Sequence, residues 1–191
     1  MSTPLPSLTM LLRRPTTFFR ELSPASLGPK VTLLGVFCLF VGNVCSGLTQ
    51  FFLASIDPVF FNGMIKPAEI VLMKKQAILT LLFSPAIAFF GIFLFASALH
   101  FLIKNLISAN LPTSYETTVR LVALAQVPML FSIVPLLGPI IAPIWSFILL
   151  MKALKGFYGL SLFMAVMSTL APALFLKLTW GWALQMLSLS L

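Results

Sequence analysis

The chain has 191 residues, of which 60% are hydrophobic and 8% are charged, and its mean hydropathy is +1.09. Water-soluble domains are about 45–50% apolar, so this composition excludes an ordinary soluble fold. The formal net charge of +8 comes from basic residues scattered over short loops and segment ends, a pattern unlike a nucleic-acid-binding patch. We therefore predict an all-α, polytopic transmembrane helical bundle of about five spans, with anionic lipid headgroups as partners of its basic residues and no nucleic acid.

The first 30 residues differ from the rest of the chain, because the first long apolar run begins only after Lys30. We predict an N-terminal segment over residues 1–30 and a transmembrane domain over residues 31–191. Within the first part, leucine and phenylalanine recur at helical spacing against a polar face, which favours a short amphipathic helix in the membrane interface over a solvated linker. Its candidate contacts with membrane or partner are Arg13, Arg14, Pro15, Phe18, Phe19 and Arg20.

The apolar runs predict spans at about 31–53, 77–103, 119–134, 136–151 and 159–178. Small residues in the first span repeat at alternating steps of three and four, which places them on one stripe of a helix. Such stripes let another helix approach closely, so we predict a packing face, with a ligand-lining face as the alternative. The stripe consists of Gly35, Cys38, Gly42, Cys45 and Thr49.

The stretch from Val119 to Met151 is unusually rich in proline. Folded in two, it gives arms of about 16 residues, or roughly 24 Å each, against a hydrocarbon core of about 30 Å. Two short kinked spans are favoured, and a re-entrant hairpin is the alternative. Broken helices of this kind can line a substrate pathway, so the alternative function is a passive transporter, a channel or a lipid-translocating protein. The candidate pathway residues are Pro128, Pro135, Gly138, Pro139 and Pro143.

Residues suited to catalysis are scarce. The four acidic residues fall in predicted loops or at segment ends, and His100 is the only histidine. We therefore predict no catalytic, cofactor-binding or metal site, and a protein that is not an enzyme. His100 is a candidate polar site that caps the end of the second span, with a pH-sensitive or ligand-binding role as the alternative.

The distribution of lysine and arginine predicts the orientation. With five spans, eight basic residues lie on the side of the N-terminus and four on the other side, which puts the N-terminus in the cytoplasm and the C-terminus outside. We expect a bacterial cytoplasmic (inner) membrane. The first group is Arg13, Arg14, Arg20, Lys30, Lys104, Arg120, Lys152 and Lys155, and the second is Lys66, Lys74, Lys75 and Lys177.

Several segments resemble, in order and spacing, the motifs of the Yip (Ypt/Rab-interacting protein) domain family of bacterial type. The similar segments are Pro15–Arg20, Ala98–Lys104, Thr117–Pro128, Ile133–Ser146 and Leu154–Ser161.

This chain departs from the family pattern in having Ser108–Thr113 in place of a glycine-rich loop and Tyr158 where a histidine is frequent. The resemblance implies five spans, a cytoplasmic N-terminus and no catalytic residues. We expect a protein of this type to organise membrane or to recruit a partner, such as a membrane protein or a second copy, through residues 13–22 and the small-residue face of the first span. Eukaryotic members are associated with Rab-type GTPases, a partner that the resemblance does not extend to this shorter chain.

Overall fold

The structure is a computed structural model that describes residues 8–22, 27–56, 67–107 and 114–190. Residues 1–7 of the predicted N-terminal segment and the loop at 108–113 lie outside the described residues. In the described ranges the fold is all-α, as predicted. The helices are α1 (Leu8–Arg13), α2 (Pro15–Glu21), α3 (Pro29–Leu53), α4 (Pro67–Leu102), α5 (Tyr115–Ala125), α6 (Gly138–Tyr158) and α7 (Leu162–Ser190).

Four helices of the described chain are long and apolar enough to cross a membrane. Large apolar side chains project outward from them, and Phe90 and Phe163 are 60% and 69% exposed. Rings exposed to this extent over several helices indicate contact with lipid, so the multi-pass prediction is confirmed. These spans are Pro29–Leu53, Glu69–Asn105, Gly138–Tyr158 and Leu162–Ala183.

The predicted third span is a composite of two helix types. The eleven residues of α5 are followed by a 3-10 helix, Val127–Ile133. At 1.5 and 2.0 Å per residue, the two parts together rise about 30 Å, close to the thickness of a hydrocarbon core. Because Thr117–Ala125 are buried among other helices, this element can be short and less apolar than a helix that faces lipid.

The helix bounds extend beyond several predicted spans. The helix predicted at 77–103 begins at Pro67, which suits a first helical turn, and α6 continues to Tyr158. Backbone hydrogen bonds carry these helices past the charged residues that end an apolar run. Pro85 lies inside α4 and leaves the carbonyl of Leu81 without its usual backbone donor, and the hydroxyl of Ser84 donates to that carbonyl at 2.8 Å.

Helix α5 lies at the centre of the bundle, where it contacts α3, α4 and α6. Its apolar residues share one core with residues of α2, including Phe18 and Phe19. The division of the chain at residue 30 stays a prediction, although apolar residues on both sides of it belong to this core.

Candidate functional site

The N-terminal segment over residues 8–22 is docked on the bundle by its two phenylalanines. Phe18 and Phe19 are fully buried, with ring centroids 5.2 Å apart in an edge-to-face arrangement. Helix α2 lies against α6 at Gly156, where an added Cβ would lie 3.0 Å from both the Phe19 Cβ and the Thr16 carbonyl oxygen. The absence of a side chain at Gly156 therefore permits the close approach. The apolar face predicted to enter lipid is covered by protein instead.

The chain that follows α2 has its own attachment to the bundle. Leu22 and Leu27 are buried in the common core. Arg120 of α5 donates hydrogen bonds to the Leu27 carbonyl oxygen and to the Glu116 carboxylate. This guanidinium links Leu27, just before α3, to the central helix α5. The N-terminal segment is therefore held to the bundle at its phenylalanines and again at Leu27.

Docking leaves the positive charges of the segment on the outside. Arg13, Arg14 and Arg20 are exposed, and we call these three side chains the basic face. Lys152 and Lys155 of α6 are also exposed and lie within four residues of Gly156. Within the described ranges, none of these five side chains takes part in a recorded salt bridge. The surface therefore carries an excess of positive charge, with Glu21 as the one acidic residue of α2.

A polar network joins α4, α5 and α6. The Thr118 hydroxyl oxygen lies 3.2 Å from His100 Nδ1 and 3.1 Å from the Tyr158 hydroxyl oxygen. Ser97, three residues before His100, makes a separate contact. Its hydroxyl oxygen lies 3.0 Å from the Tyr115 hydroxyl oxygen, and the Tyr115 hydroxyl donates to the Phe93 carbonyl. Since buried polar groups need partners, this arrangement satisfies them and ties three helices together.

The chain offers little for binding a metal. In the part that the structure describes, no three His, Cys, Asp or Glu side chains come together. Cys38 and Cys45 are free thiols on α3. The chemistry of the basic face is therefore electrostatic, and that of the polar network is hydrogen bonding.

The small-residue stripe of α3 lies against α5 and the 3-10 helix that follows it. A Cβ at Gly35 would lie 2.5 Å from Ala123, and one at Gly42 would lie 2.7 Å from the terminal methyl of Met129. Cys38 is buried, whereas Cys45 and Thr49 are half-buried. The Thr49 hydroxyl donates to the Cys45 carbonyl at 2.9 Å.

The predicted hairpin residues are spread over the junction between the 3-10 helix and α6. Pro128 is buried in the first turn of the 3-10 helix, and Pro139 stands in the first turn of α6. Pro135 begins the turn, and Gly138 packs against the backbone of the 3-10 helix. Pro143 lies inside α6 and lines a partly open cavity. A transport pathway through these residues stays a prediction.

Sequence reasoning missed Thr118 as the partner of His100, and Tyr158 as the second partner of Thr118. Residues 118 and 158 are far apart in the chain, and nothing in their spacing indicates contact. The one available signal was chemical, because Tyr158 stands where the resembled family often has a histidine.

A basic surface on a bundle of long apolar helices defines the class of protein as a multi-pass integral membrane protein. The family model described as the Yip1 domain matches residues 9–184, and the chain belongs to this family. The comparisons with curated proteins and with solved structures gave no significant match.

Proposed function

We propose that this Yip1-domain protein is a non-enzymatic membrane scaffold that recruits partners with acidic surfaces through the basic face. One observation carries the proposal: α2 buries Phe18 and Phe19 completely, while its own Arg20 and the two arginines just before it, Arg13 and Arg14, remain exposed. An amphipathic helix whose apolar side is covered by its own protein is left with its charged side for recognition. Anionic lipid headgroups beside the bundle are a second source of negative charge for the same arginines.

The docking supports recruitment because it orders the arginines in advance. A partner that binds a mobile segment must order it, at a cost that a docked segment avoids. Complementary charge also accelerates encounter between the two surfaces. The Lys and Arg distribution supports placing this surface in the cytoplasm of a bacterial cell, with the C-terminus on the other side of the inner membrane. The partner is a membrane-associated protein that offers an acidic surface.

The test is to replace Arg13, Arg14 and Arg20 together by Glu and to crosslink cells before affinity purification and quantitative mass spectrometry. An exposed charge pair between proteins is worth up to about 1 kcal/mol, so losing three costs up to about 3 kcal/mol, or roughly 100-fold in affinity. Reversal adds repulsion. We expect the variant to lose the protein partner that co-purifies with the wild type. The enrichment of anionic lipid seen with the wild type is expected to be lost as well.

The matched control is the triple replacement of Lys74, Lys75 and Lys177 by Glu, which makes the same change in net charge at other positions. This control is expected to retain the partner. Equal recovery of the partner with wild type and with the arginine variant, at equal amounts of folded protein, would falsify the proposal.

A further inference from the structure

A cavity of about 300 Å³ that is open on one side lies where α3, α4, α5, α6 and α7 meet. This volume is at the lower end of the range for small-molecule sites, about 300–1,000 Å³. Most of its wall is apolar, with Ile92, Val122 and Leu150 among the lining residues. Gly91 leaves one side open, since an added Cβ there would meet only the Leu39 Cδ2, at 3.9 Å.

One polar group in this wall has no partner. Ser146 lines the cavity, is 6% exposed, and its hydroxyl makes no hydrogen bond within the described chain. Two other polar side chains in the wall form hydrogen bonds with the backbone. The Thr169 hydroxyl donates to the Ala165 carbonyl at 2.8 Å, and the Gln126 amide donates to the Val122 carbonyl at 3.4 Å.

The cavity lies at the level of the bilayer interior. Gly91, Ser146 and Thr169 are near the middle of the spans Glu69–Asn105, Gly138–Tyr158 and Leu162–Ala183, respectively. A ligand at this depth arrives from the lipid phase, and an apolar cavity of this kind does not retain water well. Among the residues that the structure describes, no charged side chain lines the cavity, so a charged ligand would meet no counter-ion from them.

From the cavity and its unpartnered hydroxyl, we propose a binding site for an uncharged, mainly apolar molecule that carries one carbonyl oxygen. The apolar part fills the space beside Gly91, and the buried Ser146 hydroxyl turns towards the pocket to donate a hydrogen bond to the carbonyl. A free neutral lipid such as a long-chain ketone has this chemistry. This site is independent of the basic face, which lies on the surface.

The experiment uses the full chain in lipid nanodiscs and a decanone that carries a photoreactive diazirine. We expect labelling of peptides around Gly91 and Ser146 that excess unlabelled undecan-2-one displaces. Gly91→Leu fills the cavity and is expected to reduce labelling about tenfold or more. Ser146→Ala keeps the shape but removes one neutral hydrogen bond, so labelling falls about fivefold without loss of thermal stability.

Ser132→Ala is the matched control, because the Ser132 hydroxyl is likewise buried and unpartnered but does not line the cavity. It is expected to label like the wild type. Mass spectrometry of lipids that co-purify from native membranes is expected to show a neutral lipid that carries a carbonyl group. Should Gly91→Leu fail to fold, Ser146→Ala still decides the question. Labelling that is equal in Ser146→Ala and wild type, or confined to lipid-facing residues, overturns the proposal.

Discussion

Replacing Gly35 by leucine is expected to abolish stable assembly of the bundle. A Cβ at this position would lie 2.5 Å from the Cα, Cβ and carbonyl oxygen of Ala123. Two of these are backbone atoms of α5, which α3, α4 and α6 surround, so the contact cannot be relieved by turning a side chain. Overpacking in a protein core costs about 1–3 kcal/mol for smaller insertions, and leucine adds three carbons beyond the Cβ.

Detergent-solubilised variants, monitored by size exclusion and thermal unfolding, measure this effect. We expect Gly35→Leu to yield no monodisperse protein, and Gly35→Ala to be destabilised by about 2–3 kcal/mol. The control is Gly91→Ala on α4, where the nearest atom is 3.9 Å away and no loss is expected. A Gly35→Leu protein that elutes and melts like the wild type would refute the packing of α3 on α5.

The second large effect is expected at Gly138, where α6 begins. A Cβ there would overlap the Phe131 carbonyl oxygen and lie 2.8 Å from the Ser132 Cα. The connecting turn is tight, since Leu136 has a positive φ of 65° and the Gly138 amide donates to the Val134 carbonyl at 2.9 Å. Gly138→Ala must therefore separate the 3-10 helix from α6. We expect a loss of about 3 kcal/mol or more, seen as a lower temperature of thermal unfolding.

Leu136→Gly provides a control of opposite sign in the same turn. The left-handed backbone of a leucine costs roughly 1–2 kcal/mol, which glycine avoids. Part of that gain is offset by the greater freedom of glycine in the unfolded chain, so we expect unchanged or slightly higher stability. A Gly138→Ala protein as stable as Leu136→Gly would show that the hairpin is not closed in this way.

The long helices could be predicted from the sequence because their physical cause is local. An apolar run bounded by charge indicates a span, and the α3 helix, Pro29–Leu53, agrees closely with the predicted 31–53. The composite third span was harder to predict. Its α5 part is enclosed by protein, so it carries Thr117 and Thr118 and lacks the continuous apolar pattern that lipid imposes.

The residues of the candidate site could be predicted from the sequence, but the surface that they contact could not. The alternation of Phe18 and Phe19 with arginines indicates a helix with one apolar side. That pattern is the same whether the apolar side contacts lipid or protein, since both are apolar surroundings. Only Gly156, distant in sequence, determines that the partner is α6. The cavity at Ser146 likewise depends on five helices meeting in space, which no single segment encodes.

The most direct measurement for the central claim, that docking presents the basic face to a partner, is crosslinking and mass spectrometry of Gly156→Leu beside wild type. The leucine side chain would displace α2, because the Phe19 Cβ and the Thr16 carbonyl oxygen lie 3.0 Å from the added Cβ. Faster trypsin cleavage after Arg20 verifies the displacement in folded protein. The account predicts that the partner is lost although all three arginines remain. Full recovery of the partner with the undocked segment would contradict it.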